Sequence, residues 1–108
     1  MYKINLLGST GSIGRKTLKI LNKNFSNYKI NFLLAKNNYK LLATQANKNN
    51  PNIVGILNEK FYKKLKSNIY NKKIKIVCGI DCYEILKRSV DFSIIAISGI
   101  SSLKSIQF

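Results

Sequence analysis

Short apolar runs alternate with segments of helical periodicity along almost the whole chain. Apolar residues spaced about 3.6 apart indicate an amphipathic helix, whereas a short continuous apolar run indicates a strand buried on both faces. The sequence therefore predicts five strands, at residues 4–7, 28–35, 53–57, 74–77 and 92–97. It predicts helices between them, at residues 13–24, 39–49, 59–67 and 81–88, and a last helix from Ser101 or Ser102.

This alternation predicts a parallel sheet covered by helices on both faces, because helical crossovers connect parallel strands. Right-handed crossovers make it a doubly wound, Rossmann-like α/β sheet of about five strands, in the simplest order 3-2-1-4-5. With 108 residues, the chain is expected to be one domain, 1–108. The last predicted helix stops at Phe108 after about two turns without a C-cap glycine, as if the fold were truncated there.

Two predicted helices carry signals at their ends. Asn50-Pro51 is expected to stop the second helix, since proline cannot continue it. Asp81 is expected to cap the fourth helix, with Glu84 three residues later completing a capping box.

The net charge of +15 raises the question of a nucleic-acid partner, because phosphate neutralisation drives non-specific binding. Only Arg15 and Arg88 among the 19 basic residues are arginines, and the lysines are scattered along the chain. Base-edge reading and bidentate phosphate contacts favour arginine. Nucleic acid is therefore not the expected partner, and a basic Rossmann-like module for polyanions or nucleic acid is the alternative. Salt separates the two, since a binder of scattered charge loses affinity steeply as salt rises.

The remaining composition argues against a zinc site and against a membrane location. Cys78 and Cys82 stand in a chain without histidine, whereas a zinc site needs about four ligands. We expect both to be free thiols in or near the core. No apolar run approaches the roughly 18 residues of a membrane span, and the N-terminus does not resemble a signal peptide. The expected location is the cytoplasm, with no membrane partner.

A glycine-rich turn, Gly8-Ser9-Thr10-Gly11-Ser12-Ile13-Gly14, lies between the first strand and the first helix. A dinucleotide-binding fold needs glycine here for a tight turn, for close approach of the backbone to pyrophosphate, and for packing of helix on strand. The helix N-terminus then stabilises the anion, and the hydroxyls of Thr10 and Ser12 add donors. The spacing G-x-x-G-x-x-G predicts a phosphate-binding loop, and a purely structural turn is the alternative.

The end of the second strand indicates which cofactor would bind. An acidic residue there binds the ribose 2′-hydroxyl of NAD, whereas a cation accommodates the 2′-phosphate of NADP. The sequence has no carboxylate at this point but has Lys36, which favours NADP, although Lys36 is also one of many lysines. The small-residue loop at 96–102 is a weaker candidate for the place where the dinucleotide crosses the sheet edge.

The string from Leu6 to Gly14, followed by Thr17-Leu18, closely resembles the opening of 1-deoxy-D-xylulose 5-phosphate reductoisomerases. The resemblance extends over nearly all of this chain but only over the N-terminal part of the family's enzyme. It implies an NADPH- and divalent-metal-dependent (Mg or Mn) oxidoreductase that converts 1-deoxy-D-xylulose 5-phosphate to 2-C-methyl-D-erythritol 4-phosphate in isoprenoid biosynthesis. In the family's Ala-Gly-Lys-Asn segment, which aligns with 35–38, this chain has its lysine one position early. The cofactor-binding residues predicted in this way are Gly8, Thr10, Gly11, Ser12, Ile13, Gly14, Lys36, Asn37 and Asn38.

The resemblance also implies that the family's metal ligands and substrate-phosphate ligands lie C-terminal to this region. The acidic residues of the chain are Glu59, Asp81, Glu84 and Asp91, and none is expected to be paired in a cleft. We therefore predict no catalytic or metal-binding residue here, a sugar-phosphate substrate only with the missing domain, and a chain not catalytically competent by itself. A homodimer is implied for the full enzyme. The cofactor domain of another NADP-dependent reductase, such as a semialdehyde dehydrogenase or a short-chain reductase, is the alternative.

Overall fold

The computed structural model describes residues 2–24, 28–87 and 92–95, which form five parallel strands alternating with helices. The elements are β1 (Tyr2–Leu7), α1 (Ser12–Asn24), β2 (Tyr28–Ala35), α2 (Tyr39–Asn49), β3 (Ile53–Ile56), a 3-10 turn (Glu59–Phe61), α3 (Tyr62–Asn68), β4 (Lys75–Cys78), α4 (Asp81–Leu86) and β5 (Phe92–Ile95). The predicted elements in these ranges are confirmed to within two residues, except that the third helix opens with the 3-10 turn. The predicted last helix and the loop at 96–102 lie outside the described residues.

The strand order is β4-β3-β2-β1-β5, so the predicted order 3-2-1-4-5 is wrong about β4. This strand lies at the far edge of the sheet, beside β3, and β5 takes the position next to β1. β3 is buried along its whole length and is paired on both sides, whereas β4 begins with the exposed Lys75. A charged, partly solvated strand is tolerated at an edge. From β1 to β4 each strand is added on the same side of the one before it, and β5 is then added on the other side of β1. The point at which the strand order reverses thus lies between β1 and β5.

Helices cover both faces of the sheet, which confirms the doubly wound, Rossmann-like fold. On one face, Leu18 of α1, Leu42 of α2 and Leu65 of α3 pack against the strands. On the other face, Cys82 and Ile85 of α4 pack against a second cluster. The strand residues of that second cluster are Leu7, Phe32, Leu34, Ile53 and Val77. The helices α1 to α3, which connect β1 to β4, thus lie on one side of the sheet, and α4, which precedes β5, lies on the other.

The helix-end predictions have different outcomes. α2 begins after the N-cap Asn38 and ends at Asn49, where Asn50 adopts a left-handed conformation and its N–H donates to the carbonyl of Ala46. The predicted stop at Asn50-Pro51 is confirmed. Asp81, however, is not the cap of α4: the N-cap residue is Ile80 and no side chain caps this end. Gly79, at φ +58°, turns the chain so sharply that Asp81 is already inside the helix.

Both cysteines are free and lie in or beside the core, as predicted. Cys82 is fully buried, and its burial raises the pKa of its thiol to about 11. Burial also raises the pKa of Cys78, which is half-buried, and the negative charges of Glu59 and Asp81 add to the effect. The thiols therefore remain protonated at neutral pH and act as small apolar side chains. None of the helices in the described ranges has the length and apolar character needed to cross a bilayer.

Candidate functional site

The loop between β1 and α1 is fastened to the end of β2. The carbonyl of Leu34 accepts two hydrogen bonds, from the N–H of Gly8 at 2.8 Å and from that of Ser9 at 3.1 Å. Gly8 has φ +82°, a left-handed conformation that glycine adopts without strain. The N–H of Gly11 then donates to the carbonyl of Gly8 at 3.2 Å, which closes the turn. The predicted glycine-rich turn is thus a defined loop that leaves the sheet edge and enters α1 directly.

Gly14 allows α1 to pack directly on this loop. A Cβ atom at Gly14 would overlap the carbonyl oxygen of Gly8 and lie 2.8 Å from the Cα of Ser9. Any other residue would therefore push the first turn of the helix away from the strand. Two of the three predicted roles for glycine, the tight turn and the helix–strand contact, belong to Gly8 and Gly14.

The start of α1 presents backbone donors that none of the described residues accepts. The first helical bond runs from the N–H of Arg15 to the carbonyl of Gly11, at 2.9 Å. Within the described residues, the N–H groups of Thr10, Ser12 and Ile13 have no hydrogen-bond acceptor. The dipole of a helix adds partial positive charge at this end. Together, the free donors and the dipole favour an anion in front of the loop.

The side chains of the predicted loop residues face open space to different degrees. Thr10 and Gly11 are half-buried, whereas Ser12 is exposed. Ile13, the first apolar residue of α1, is 50% exposed. Leu18, the next apolar residue of the helix, is buried. An exposed isoleucine beside free backbone donors provides an apolar contact for a ligand that lies along the loop.

The second group of predicted residues, Lys36, Asn37 and Asn38, forms the exposed connection from β2 to α2. The side chain of Asn38 accepts the N–H of Leu41 at 3.2 Å and so caps α2. Asn58 holds the connection from the side, since its N–H donates to the carbonyl of Lys36 at 3.0 Å and its Nδ2 donates to Oδ1 of Asn37 at 2.8 Å. The amides of Asn37 and Asn38 are thus engaged in shaping the backbone, and within the described ranges the ammonium of Lys36 has no acidic partner.

The structure brings both groups of predicted residues to one edge of the sheet. The carbonyl of Leu34, which holds Gly8 and Ser9, is only two residues before Lys36. Both loops follow the carboxyl ends of neighbouring parallel strands, and β1 is the strand at which the winding direction reverses. Open α/β sheets bind their ligands outside the carboxyl ends of strands at such a reversal. In the predicted and in the observed strand order alike, the reversal lies beside β1. The error in the predicted order therefore does not change the location of the candidate site.

Sequence reasoning missed two residues that hold these loops, Gln45 and Asn58. Gln45 is buried in α2, and its Nε2 donates to the carbonyl of Ser9 at 2.8 Å. One signal pointed to it: Gln45 follows Leu42 by three residues and therefore falls on the buried face of α2. Asn58 gives no such signal, because its bonds to Lys36 and Asn37 join residues about twenty positions away.

A second concave region lies between α1 and α2. It is a groove of about 580 Å³, and its charged lining residues are Arg15, Lys19, Lys23 and Lys48. These cations belong to the scattered basic residues noted in the sequence. The features of a dinucleotide site, namely glycine approach and free helix-terminal N–H groups, are found at the β1–α1 loop and not in this groove.

The acidic residues in the described part of the chain do not form a metal-binding cluster. In residues 2–24, 28–87 and 92–95, no three histidine, cysteine, aspartate or glutamate side chains are placed to hold a metal ion together. Glu84 instead pairs with Lys87 on the surface, at 3.4 Å. The donor set at the sheet edge therefore suits phosphate groups and does not suit a divalent cation.

The amino-acid sequence is similar to those of known proteins. The profile of the 1-deoxy-D-xylulose 5-phosphate reductoisomerase family matches residues 4–107. Among curated proteins, a 1-deoxy-D-xylulose 5-phosphate reductoisomerase of Wolbachia pipientis subsp. Culex pipiens is 40% identical over 107 residues, which are 98% of this chain and 27% of that protein. The enzyme of the same name from Thermoanaerobacter sp. (strain X514) is 39% identical over 105 residues, 95% of this chain and 27% of its own length. The chain thus spans about a quarter of the length of these relatives.

Solved structures give the same result. A 1-deoxy-D-xylulose 5-phosphate reductoisomerase from Zymomonas mobilis in complex with NADPH matches with a TM-score of 0.79 and 29% identity, over 85% of this chain and 25% of that one. A DOX-P reductoisomerase in complex with magnesium matches with a TM-score of 0.80 and 27% identity, over 97% of this chain and 27% of that one. The sheet and its helices therefore have counterparts in these structures.

Proposed function

Because the chain belongs to the 1-deoxy-D-xylulose 5-phosphate reductoisomerase family, we propose that it is the NADPH-binding portion of such an enzyme. The observation that carries this proposal is the β1–α1 loop, in which the N–H groups of Thr10, Ser12 and Ile13 have no acceptor among the described residues and Gly14 lets the helix pack directly on the loop. The NADPH in the Zymomonas mobilis complex supports the choice of ligand. When bound, this cofactor supplies the hydride for reduction, and the protein supplies its placement.

The loop is proposed to hold the pyrophosphate. The N–H groups of Thr10, Ser12 and Ile13 would donate to the phosphate oxygens, and the hydroxyls of Thr10 and Ser12 would add further donors. Gly11 would allow the backbone to approach the phosphates. The exposed side chain of Ile13 would pack against the cofactor and exclude water from one side.

The β2–α2 connection is proposed to recognise the 2′-phosphate. Lys36 would supply the cation, since its ammonium is exposed and its stem is long enough to bend towards the ribose. Asn37 and Asn38 would fix the course of the backbone around it through their bonds to Asn58 and Leu41. No carboxylate is present in this connection to accept the 2′-hydroxyl of NADH.

The complete reaction is proposed to need more protein than this chain. The family's conversion of 1-deoxy-D-xylulose 5-phosphate to 2-C-methyl-D-erythritol 4-phosphate requires a divalent metal and a site for a sugar phosphate. The described residues do not fit a metal ion, so we assign the metal and the substrate to the remaining three quarters of the relatives' length. We further propose that the full enzyme is a cytoplasmic homodimer, as the family resemblance implies.

Calorimetric titration of the purified 108-residue chain tests the cofactor proposal. The chain is titrated with NADPH and with NADH, at low and at physiological salt. We expect saturable binding that favours NADPH and persists at physiological salt, because a shaped site depends less on counterion release than a scattered-charge surface does. A folded chain that binds neither nucleotide, or binds both only at low salt, would contradict the proposal.

Replacing Lys36 with glutamate tests the 2′-phosphate contact. We expect NADPH affinity to fall by about 10- to 100-fold, because a charge-assisted hydrogen bond of about 1.5–3 kcal/mol is lost. NADH affinity should change by less than about threefold, since NADH lacks the phosphate that Lys36 would bind. Lys48→Glu, on the last turn of α2, makes the same charge change away from the loop and serves as the control. Equal losses for NADPH and NADH in Lys36→Glu would refute this role.

A further inference from the structure

Gln45 is a buried amide on a helix face that is otherwise apolar. Its side chain is only 7% exposed, and on the same face Leu42 and Ala46 are fully buried. Burying an amide costs free energy unless it is hydrogen-bonded, so its location is explained by what it holds. Its Nε2 donates to the carbonyl of Ser9, a bond of 2.8 Å between residues 36 positions apart in the chain.

We propose that Gln45 is a positioning residue that sets the orientation of the Ser9–Thr10 peptide in the phosphate-binding loop. The proposal rests on the NADPH-binding function proposed above. Gln45 would not touch the cofactor itself, because it is buried within α2 behind the loop. It would act through the backbone of Ser9 and Thr10.

The geometry of the peptide unit links the two ends of this contact. In a planar trans peptide, the carbonyl of one residue and the N–H of the next point in opposite directions. Gln45 draws the carbonyl of Ser9 towards α2. The N–H of Thr10 must then point away from α2. This N–H has no acceptor within the described residues, and it is one of the donors assigned to the pyrophosphate.

Ser9 is held from its other side as well. Its own N–H donates to the carbonyl of Leu34 at 3.1 Å, so the peptides before and after Ser9 are both anchored. Ser9 is fully buried. Without Gln45, its carbonyl would be a buried acceptor with no partner, and the Ser9–Thr10 peptide would rotate to satisfy it. Rotation would remove the N–H of Thr10 from the position that faces an anion.

Ser9 and Gln45 each bury one further polar atom. The hydroxyl of Ser9 and the Oε1 of Gln45 are buried and have no hydrogen-bond partner within the described part of the chain. One is a donor and the other is an acceptor, on two residues that a hydrogen bond already joins. Each of these unpaired atoms costs free energy on burial, so the hydrogen bond that Gln45 does make, to the carbonyl of Ser9, is the contact that accounts for an amide at position 45.

Two substitutions remove the donor while keeping the size of the side chain. Gln45→Met replaces the amide with an unbranched apolar chain that adapts to a core, and Gln45→Leu replaces it with an apolar side chain of similar volume that has no hydrogen-bond donor. In the 108-residue chain, we expect both to weaken NADPH and NADH equally, by about tenfold or more, because both nucleotides carry the pyrophosphate. This pattern differs from that of Lys36→Glu, which is expected to discriminate between the two.

Asn47→Leu is the matched control. Asn47 is also an amide of α2, but it binds the end of α3, with its Nδ2 on the carbonyl of Asn68 at 3.0 Å and its Oδ1 on the N–H of Tyr70 at 2.9 Å. Its loss should lower the melting temperature without changing nucleotide affinity by more than about threefold. Nucleotide affinities are compared at temperatures where every variant is fully folded by circular dichroism.

A measurement without cofactor separates this inference from the proposed function. In the nucleotide-free chain, amide exchange of Ser9 should be about tenfold faster in Gln45→Met than in the wild type, after correction for global stability. The amide resonance of Thr10 should also shift in the variant. If the wild type fails to bind NADPH, the proposed function fails, and these amide signals still test the role of Gln45. Unchanged Ser9 exchange, or wild-type nucleotide affinity in both Gln45 variants, would overturn it.

Discussion

Replacing Gly14 with alanine is expected to destabilise the chain by about 3 kcal/mol or more, which is a large part of the stability of a small domain. The added Cβ would overlap the carbonyl oxygen of Gly8 and approach the Cα of Ser9. Both neighbours are backbone atoms of a loop that Leu34 and Gln45 hold in place, so neither can move without breaking a hydrogen bond. The melting temperature, followed by circular dichroism, should fall by about 12 °C or more.

The sign of this change makes the test sharp. Within a helix, alanine normally stabilises relative to glycine by about 0.5–1 kcal/mol. A loss of stability therefore reports the contact with Gly8 and not helix propensity. Lys16→Ala, an exposed position on the same helix, provides the control and should leave the melting temperature nearly unchanged. A Gly14→Ala chain as stable as the wild type would show that α1 does not pack against the loop in this way.

Replacing Gly11 with valine is expected to leave the stability of the chain unchanged and to lower its affinity for NADPH. Gly11 does not have a positive φ and is half-exposed, so its backbone tolerates a side chain. Under the proposed function its glycine allows the approach of a ligand, since a branched side chain would stand where the pyrophosphate is proposed to meet the backbone. We expect NADPH affinity to fall by about 100-fold or more, equivalent to about 2.7 kcal/mol.

Calorimetry on Gly11→Val and Gly11→Ala measures this effect. The alanine variant should lose less affinity than the valine variant, because a single methyl group blocks less of the approach. Circular dichroism should show wild-type melting for both. Unchanged NADPH affinity in Gly11→Val would remove the phosphate-loop assignment, even if the chain binds nucleotides elsewhere.

The elements of this fold were predictable because local patterns determine them. The apolar run of β2 and the stop at Asn50-Pro51 need only a few neighbouring residues to be recognised. Strand order is different, because it depends on which strand tolerates the sheet edge. The exposed Lys75 at the start of β4 is consistent with an edge position, but several arrangements satisfy the same pattern. Capping by Asp81 failed because Gly79 sets the start of α4 through its backbone.

The candidate site was predicted from its glycines and its lysine. Gly8, Gly11 and Gly14 recur at the spacing of a phosphate-binding loop, and Lys36 stands at the end of a recognisable strand. The residues that support the loops were not predicted. Gln45 and Asn58 act across tertiary contacts, where their partners are known only once α2 and the β3 connection are placed. The polar residues that shape a site are thus harder to recognise than those that line it.

The shared carbonyl of Leu34 has a consequence for how cofactor preference can change in this protein. It accepts the N–H groups of Gly8 and Ser9 from a position two residues before Lys36, so one strand end carries both the loop proposed for the pyrophosphate and the loop proposed for the 2′-phosphate. A substitution that reshapes the β2–α2 connection therefore also moves the anchor of the other loop. Conversion of this fold from NADPH to NADH would consequently be epistatic, with exchanges at Lys36 succeeding only in backgrounds that keep the end of β2 in place.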